Sequence, residues 1–285
     1  MTWINAGRSI VKLANKLETA RTEYSSQWDK VLKDWNSLKQ TDAAWLTYAA
    51  NYLLFTGGTR WAIDPFSMST RIKGIQTPDF ANDLKNLEFV VLSHAHNDHL
   101  DLTLIDAIAH LPVQWIIPEH MLEKVLENTR LEKHKITVPE NGKSLIFGNV
   151  NLTPFDSLHF HAKGGIEETG YLVEFNNKRW LFPGDIRNYG VNKLPDFGKL
   201  DGIFAHLWLG KGHAKDKRPP YLEDFVKFYA ALSPSRLVIT HLDEFGRAED
   251  ELWDDKHYML VSKEIHAAAP AITVKMAKMG MRVVL

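Results

Sequence analysis

The chain has 285 residues, 45% hydrophobic and 24% charged, with 34 Lys+Arg against 35 Asp+Glu. That composition excludes disordered, collagen-like and coiled-coil classes, and the net charge of -1 lacks the basic footprint of a general nucleic-acid binder. Without cysteine there are no disulfides, thiolate nucleophiles or zinc ribbons, so any metal must be held by carboxylates and by the 13 histidines.

The first residues, Met1 to Arg8, carry no apolar run behind a basic end, and no stretch has the length and apolarity of a membrane span. A soluble, cytoplasmic protein is the expectation. Residues 8–39 then place Ala14, Leu17, Tyr24, Trp28, Val31, Trp35 and Leu38 at helical spacing. They predict one long helix, or two broken near Ser25-Ser26, packed on the main domain; a homo-oligomer seam is the alternative reading of the same stripe. The domain reading is a helical extension over 1–40 and one larger unit over 41–285.

From Ala43 onward, short apolar runs alternate with turn signals. Asn51 to Phe55, Gly57-Gly58 and Arg60 to Ile63 predict a hairpin, and Gly170 to Phe175, Asn176-Asn177 and Arg179 to Phe182 predict another. Tyr52-Leu53 precedes Arg60-Trp61 at the same spacing as Tyr171-Leu172 precedes Arg179-Trp180, and Asp64 and Asp185 follow the two copies. Two similar half-domains are implied. Between and after the hairpins come strands at Phe89 to Ser93, Val113 to Ile117, Ile136, Val150, Gly202 to Leu207 and Arg236 to Thr240. Helices are expected at Asp101 to His110, Met121 to Asn128, Tyr221 to Leu232 and Asp250 to Ala268, with closing strands through Leu285. This alternation predicts an α/β layered sandwich.

The strongest chemical signal is Val90-Val91-Leu92-Ser93-His94-Ala95-His96-Asn97-Asp98-His99. A buried strand ends and four metal-ligand side chains follow. On an extended exit His94 and His96 point the same way, with Asp98 and His99 offset in the turn beyond, which suggests two neighbouring ligand sets. This segment resembles the signature of the metallo-β-lactamase superfamily, hydrolases that hold two metals at one edge of an αββα four-layer sandwich. The other elements of that pattern follow in order: Asp64 in Ala62-Ile63-Asp64-Pro65, His159 in Ser157-Leu158-His159, Asp185 in Pro183-Gly184-Asp185, and His241 closing Val238-Ile239-Thr240-His241.

The resemblance covers residues 43–285. It implies that His94, His96 and His159 hold one metal, that Asp98, His99 and His241 hold the second, and that Asp185 bridges them. Imidazoles and carboxylates without thiolates suit two divalent ions, zinc first, with manganese or iron as alternatives. Two such metals can share a water and lower its pKa to give a hydroxide that cleaves an ester. Asp98 is also a candidate proton acceptor, and Asp64 a carboxylate that orients the ligand loop or caps the turn with Pro65. His161, two residues past His159, is expected to line the substrate pocket.

The loop Phe204 to Pro220 contributes His206 and His213 as candidates for substrate binding or leaving-group protonation. Its Lys211, Lys215, Lys217 and Arg218 form a basic patch suited to an anionic substrate. Related sequences often carry Gly-His-Ala after Trp-Leu; here Trp45-Leu46 leads into Thr47-Tyr48-Ala49, so Tyr48 is the candidate substrate contact in place of that histidine. The order of motifs resembles the branch that includes L-ascorbate-6-phosphate lactonase, which implies a lactone or ester of an anionic substrate. A phosphodiesterase on phospholipid-like or nucleotide substrates and a metal-stabilised binding or assembly protein are the alternatives.

Overall fold

The computed structural model describes residues 3–159 and 165–285, with side chains from residue 16 onward. The predicted N-terminal helix forms without a break at Ser25-Ser26, as α1 (Trp3–Ser37). The strands β1 (Ala43–Leu46), β2 (Tyr52–Thr56) and β3 (Thr59–Ile63) come next, then the short helices α2 (Met68–Arg71) and α3 (Phe80–Asp83). Next are β4 (Phe89–Val91), α4 (Leu102–Ile108), β5 (Gln114–Ile116), α5 (Glu119–Asn128) and β6 (Ile136–Thr137). The second half runs through β7 (Leu145–Phe147), β8 (Val150–Asp156), β9 (Thr169–Phe175), β10 (Lys178–Phe182) and β11 (Gly202–His206). It continues with α6 (Leu222–Leu232), β12 (Arg236–Thr240), α7 (Asp255–Ala268), β13 (Thr273–Met276) and β14 (Arg282–Val284).

Two seven-stranded sheets result, ordered β14-β1-β2-β3-β4-β5-β6 and β7-β8-β9-β10-β11-β12-β13. Each begins with antiparallel pairings through a hairpin and switches to parallel pairing at the hairpin's second strand, β3 in one sheet and β10 in the other. Both hairpins turn on two residues of positive φ: 58° and 87° at Gly57-Gly58, and 47° and 60° at Asn176-Asn177. Those angles match the right-handed strand twist in a two-residue turn.

The period of two along β2 explains the layering. Leu53 and Phe55 face the apolar cluster shared with α1, α4 and α5, while Tyr52 and Leu54 face the cluster between the sheets, where Trp61, Phe89, Trp180 and Phe204 also lie. On the far side α6 and α7 cover the second sheet with Phe225, Tyr229, Val261 and Ile265. The architecture is therefore an αββα sandwich.

The apolar stripe of α1 faces its own domain. Tyr24, Trp28, Val31 and Trp35 are buried, Trp35 Nε1 donates to Leu54 O at 2.8 Å, and Trp28 Nε1 donates to Asp83 Oδ2 at 2.9 Å. The same stripe cannot also serve as a seam between copies, which corrects that alternative for residues 20–35. No helix among the described residues is long and apolar enough to cross a membrane.

Candidate metal centre

Asp64, the run from His94 to His99, Asp185 and His241 follow strands that have a parallel neighbour, whereas His159 follows β8, which is antiparallel on both sides; at each of these strand ends the chain turns rather than continuing a ladder. Asp64 leaves β3 with φ 44°, and its N–H donates to Val91 O at 2.9 Å. His241 leaves β12 with φ 62°, and its N–H donates to Ala49 O at 2.8 Å. Left-handed backbone at a residue with a side chain costs about 1–2 kcal/mol and persists where surrounding contacts impose it. Asn51, fully buried, holds the two loops together by donating from Nδ2 to Asp64 O and Asp98 O, both at 2.9 Å.

These turns bring two groups together. In one, His94, His96 and His159 each place a ring nitrogen within 4.8 Å of the others; in the second, Asp98, His99, Asp185 and His241 do the same with one ligand atom apiece. Asp185 Oδ1 lies 3.6 Å from both His99 Nε2 and His241 Nε2.

Three of the imidazoles are anchored in one way. His94 Nδ1 donates to Glu168 Oε1 at 2.8 Å, His99 Nδ1 to Asp64 Oδ2 at 2.8 Å, and His159 Nδ1 to Ile166 O at 3.1 Å. Committing Nδ1 as the donor leaves the Nε2 lone pair aimed into the centre, the arrangement that fixes a metal-ligating tautomer. Among the described residues His99 Nε2, His159 Nε2 and Asp98 Oδ1 are buried atoms without a hydrogen-bond partner. Orphaned acceptors that converge this closely fit a cation, because burial without a partner would otherwise cost about 1–3 kcal/mol each.

The electrostatics divide the two groups. Burial lowers His94 to a pKa of about 3, and His96 and His159 to about 4, so all three are neutral ligands. In the second group burial opposes charge, but the ion pairs outweigh it. His241 and His99 hold the Asp185 carboxyl well below the usual range, and Asp185 and Asp64 push His99 well above it. A metal there would replace protons the cluster otherwise retains.

Two roles were invisible in the sequence. Glu168 is buried at the start of β9; besides His94 it accepts from Ser157 Oγ at 2.9 Å and from the Asp185 N–H at 3.0 Å, so one carboxylate fixes a member of each ligand group. Gly184 makes room for it: with φ 75°, a Cβ there would collide with the Glu168 carboxylate. Arg187 lines the open cavity above Asp185 and His241, together with Trp208, Lys211 and Arg247. Glu168 lies in Ile166-Glu167-Glu168-Thr169, which reads as a solvated turn, and Arg187 is a lone arginine two residues past Asp185.

The remaining expected site residues divide differently. Asp64 accepts from Ser93 N at 2.7 Å, from Ser93 Oγ and from His99 Nδ1, an orienting arrangement. His206 lies behind Asp185 rather than in the cavity: Nδ1 donates to Asp185 Oδ1 at 2.9 Å and Nε2 accepts from Tyr52 OH at 2.9 Å. Both nitrogens are thus engaged away from the cavity, and burial lowers the pKa of the ring, so His206 is not placed to protonate a leaving group.

Tyr48 is buried, its ring stacked on Phe66 at 5.3 Å and its hydroxyl donating to Phe245 O at 2.7 Å, so it is closed to substrate. His213 turns to Asp216 at 2.8 Å and does not line the cavity. Lys211 does, but the loop's charges are exposed and stand near glutamates: Lys211 3.8 Å from Glu251, Lys215 3.3 Å from Glu249 and Arg218 3.9 Å from Glu264. His161 lies outside the described residues.

Comparison with known proteins agrees with this fold. Residues 59–242 match the family model described as the β-lactamase superfamily domain. A UPF0173 metal-dependent hydrolase of Heliobacterium modesticaldum is 27% identical over 242 residues, covering 79% of this chain and 93% of that protein. An N-acyl-phosphatidylethanolamine-hydrolyzing phospholipase D 1 of Caenorhabditis elegans is 26% identical over 207 residues, 64% of this chain; the match spans about half, 54%, of that protein. Igni18, a metallo hydrolase of Ignicoccus hospitalis, shares the fold with a TM-score of 0.63 at 15% identity, covering 86% of this chain and 99% of that one. The metallo-β-lactamase fold protein YhfI of Bacillus subtilis does so at 0.62 and 16%, over 86% and 99%.

Proposed function

The chain belongs to the β-lactamase superfamily as a metal-dependent hydrolase, and on that premise we propose that it cleaves an ester of a small anionic substrate, a phosphodiester before a lactone or carboxylic ester. His94, His96 and His159 would hold one divalent ion and Asp98, His99 and His241 another, with Asp185 shared and zinc the first candidate. The observation that carries the reading is the convergence of buried, unpartnered ligand atoms in the cluster whose Asp185 and His241 line a cavity that also bears arginine. The phosphodiester preference is supported by the name of the nematode relative, of which this chain matches about half.

Bound metal supplies a Lewis acid and a water of lowered pKa. The chain's own residues do the rest. Glu168 and Asp64 fix the ligand rings, and His206 holds the Asp185 carboxylate. Asp98 is held at Oδ2 by Arg247 at 3.2 Å, which leaves Oδ1 to orient a proton of the attacking water. Trp208 and Trp253 keep one side of the cavity apolar.

Elemental analysis of the purified protein, combined with turnover of bis(p-nitrophenyl) phosphate, a lactone and a carboxyl ester, tests this, with His241→Ala as control. Two metals per chain and chelator-sensitive diester turnover, lost in His241→Ala, are expected. Folded, metal-free protein would overturn the reading, and turnover of lactone alone would replace the phosphodiester by the lactone. Metal without turnover of any ester would favour the binding or assembly alternative.

A further inference from the structure

Three cations line the cavity, and they differ in what they are bound to. Arg247 donates through Nε to Glu244 and through Nη2 to Asp98 Oδ2 at 3.2 Å, with Glu251 4.0 Å from Nη1. Its charge is met on three sides. Lys211 is 81% exposed and faces Glu251, so it is hydrated and mobile in orientation.

Arg187 is different. Its side chain is only 13% exposed, and the guanidinium lies over the Trp208 ring, 5.4 Å from the centroid, which holds the orientation of the plane. Among the described residues its one carboxylate neighbour, Asp185 Oδ2, is 3.8 Å away, beyond hydrogen-bond reach, and the other oxygen of Asp185 is taken by His206. Arg187 Nε is buried and has no hydrogen-bond partner among the described residues. A desolvated guanidinium with donors to spare, packed on an aromatic face beside the ligand cluster, is built for a planar or tetrahedral anion.

We propose that Arg187, rather than the basic loop at 211–218, binds an anionic oxygen of the substrate, and so selects an anionic ester such as a phosphodiester over a neutral one. This rests on the hydrolase reading above. Trp208 and Asp185 set the position of the guanidinium; the substrate oxygen takes the donors that the protein leaves unused.

The test uses the metal-loaded full chain with Arg187→Gln and Arg187→Lys. Steady-state kinetics are compared for bis(p-nitrophenyl) phosphate and for p-nitrophenyl acetate, a neutral ester with the same leaving group. Affinity for inorganic phosphate is measured by titration calorimetry, and metal content by elemental analysis. Arg187→Gln should raise KM for the diester and weaken phosphate binding by about 10- to 100-fold, the span of a charge-assisted hydrogen bond, with a much smaller loss on acetate and with metal retained. Arg187→Lys should recover part of the loss. Equal losses on diester and acetate, or unaltered phosphate affinity, would overturn the proposal. Metal loss in Arg187→Gln that Arg187→Lys restores would also overturn it, because Arg187 would then serve Asp185 instead. If the wild type turns over no diester, the phosphodiester reading is what fails, and phosphate titration still decides the role of Arg187.

Discussion

Asp64 and Asp185 stand at the same place in the two halves of the molecule, each just past the second strand of a hairpin where the sheet turns from antiparallel to parallel. Their surroundings give them opposite work. The oxygens of Asp64 accept from Ser93 N, Ser93 Oγ and His99 Nδ1, so its charge is consumed by donors of its own half. Among the described residues Asp185 has one close side-chain donor, His206 Nδ1, and it faces His241 of its own half and His99 across the joint between the halves. A repeated frame delivers a carboxylate twice; the number of donors already around it decides whether it buttresses a ligand or joins the ligand set.

Exchanging each carboxylate for its amide breaks that comparison most sharply. Asp185→Asn removes the charge common to His99, His206 and His241, and should lose metal and lower kcat/KM by more than the roughly 10- to 100-fold expected of an orienting residue. Asp64→Asn should fall within that range, because an amide keeps an acceptor for one donor while freeing the His99 ring to turn. Metal per chain by elemental analysis and kcat/KM on the most reactive ester provide the check. Equal metal loss in the two variants would refute the division of labour.

A smaller effect separates the two ligand groups through Glu168, which touches His94 in one and the Asp185 backbone in the other. Glu168→Gln should retain the fold but bind metal about tenfold or more weakly, since an amide oxygen cannot serve His94, Ser157 and the Asp185 N–H together. Gly184→Ala strikes the same joint from the backbone side: the positive φ and the collision with Glu168 should cost about 1–3 kcal/mol of stability, read from denaturant midpoints. A Gly184→Ala protein as stable as wild type would mean that the Glu168 carboxylate moves freely, and would remove its orienting role.

The fold was legible because its signals are local. Gly57-Gly58 and Asn176-Asn177 require positive φ, and the stripe from Leu17 to Trp35 has helical spacing, so hairpins and helix could be read from neighbours in sequence. What covered the helix could not be read, since an apolar stripe looks alike against its own sheet or against a second copy. The ligand clusters were legible because His94 to His99 form one run, and the other members follow in a recognisable order.

Glu168 escaped because a glutamate at a strand entry is usually solvated, and its burial depends on Gly184, sixteen residues later. Tyr48 was placed by its position after Trp45-Leu46 and His206 by its loop, and long-range bonds to Phe245 and Tyr52 decide their roles. The basic loop misled for the same reason: its charges are visible in sequence, but the glutamates near them are 34 to 46 residues away.

The smallest expected effect probes the joint itself. Tyr52 and Tyr171 are matched residues of the two hairpins, and each crosses to the other half: Tyr52 OH meets His206 Nε2 at 2.9 Å and Thr240 Oγ1 at 3.0 Å, while Tyr171 OH donates to Leu92 O at 2.8 Å. Either change to Phe deletes a buried hydrogen bond and should cost about 1 kcal/mol, with an unchanged denaturant slope. Only Tyr52→Phe leaves an imidazole nitrogen unpartnered, and that imidazole holds Asp185. It should therefore also lower kcat/KM a few-fold, whereas Tyr171→Phe, which releases a backbone carbonyl, should leave activity untouched. Equal stability losses with no difference in activity would show that the Tyr52–His206–Asp185 chain is structural throughout, and that the halves are joined the same way on both sides.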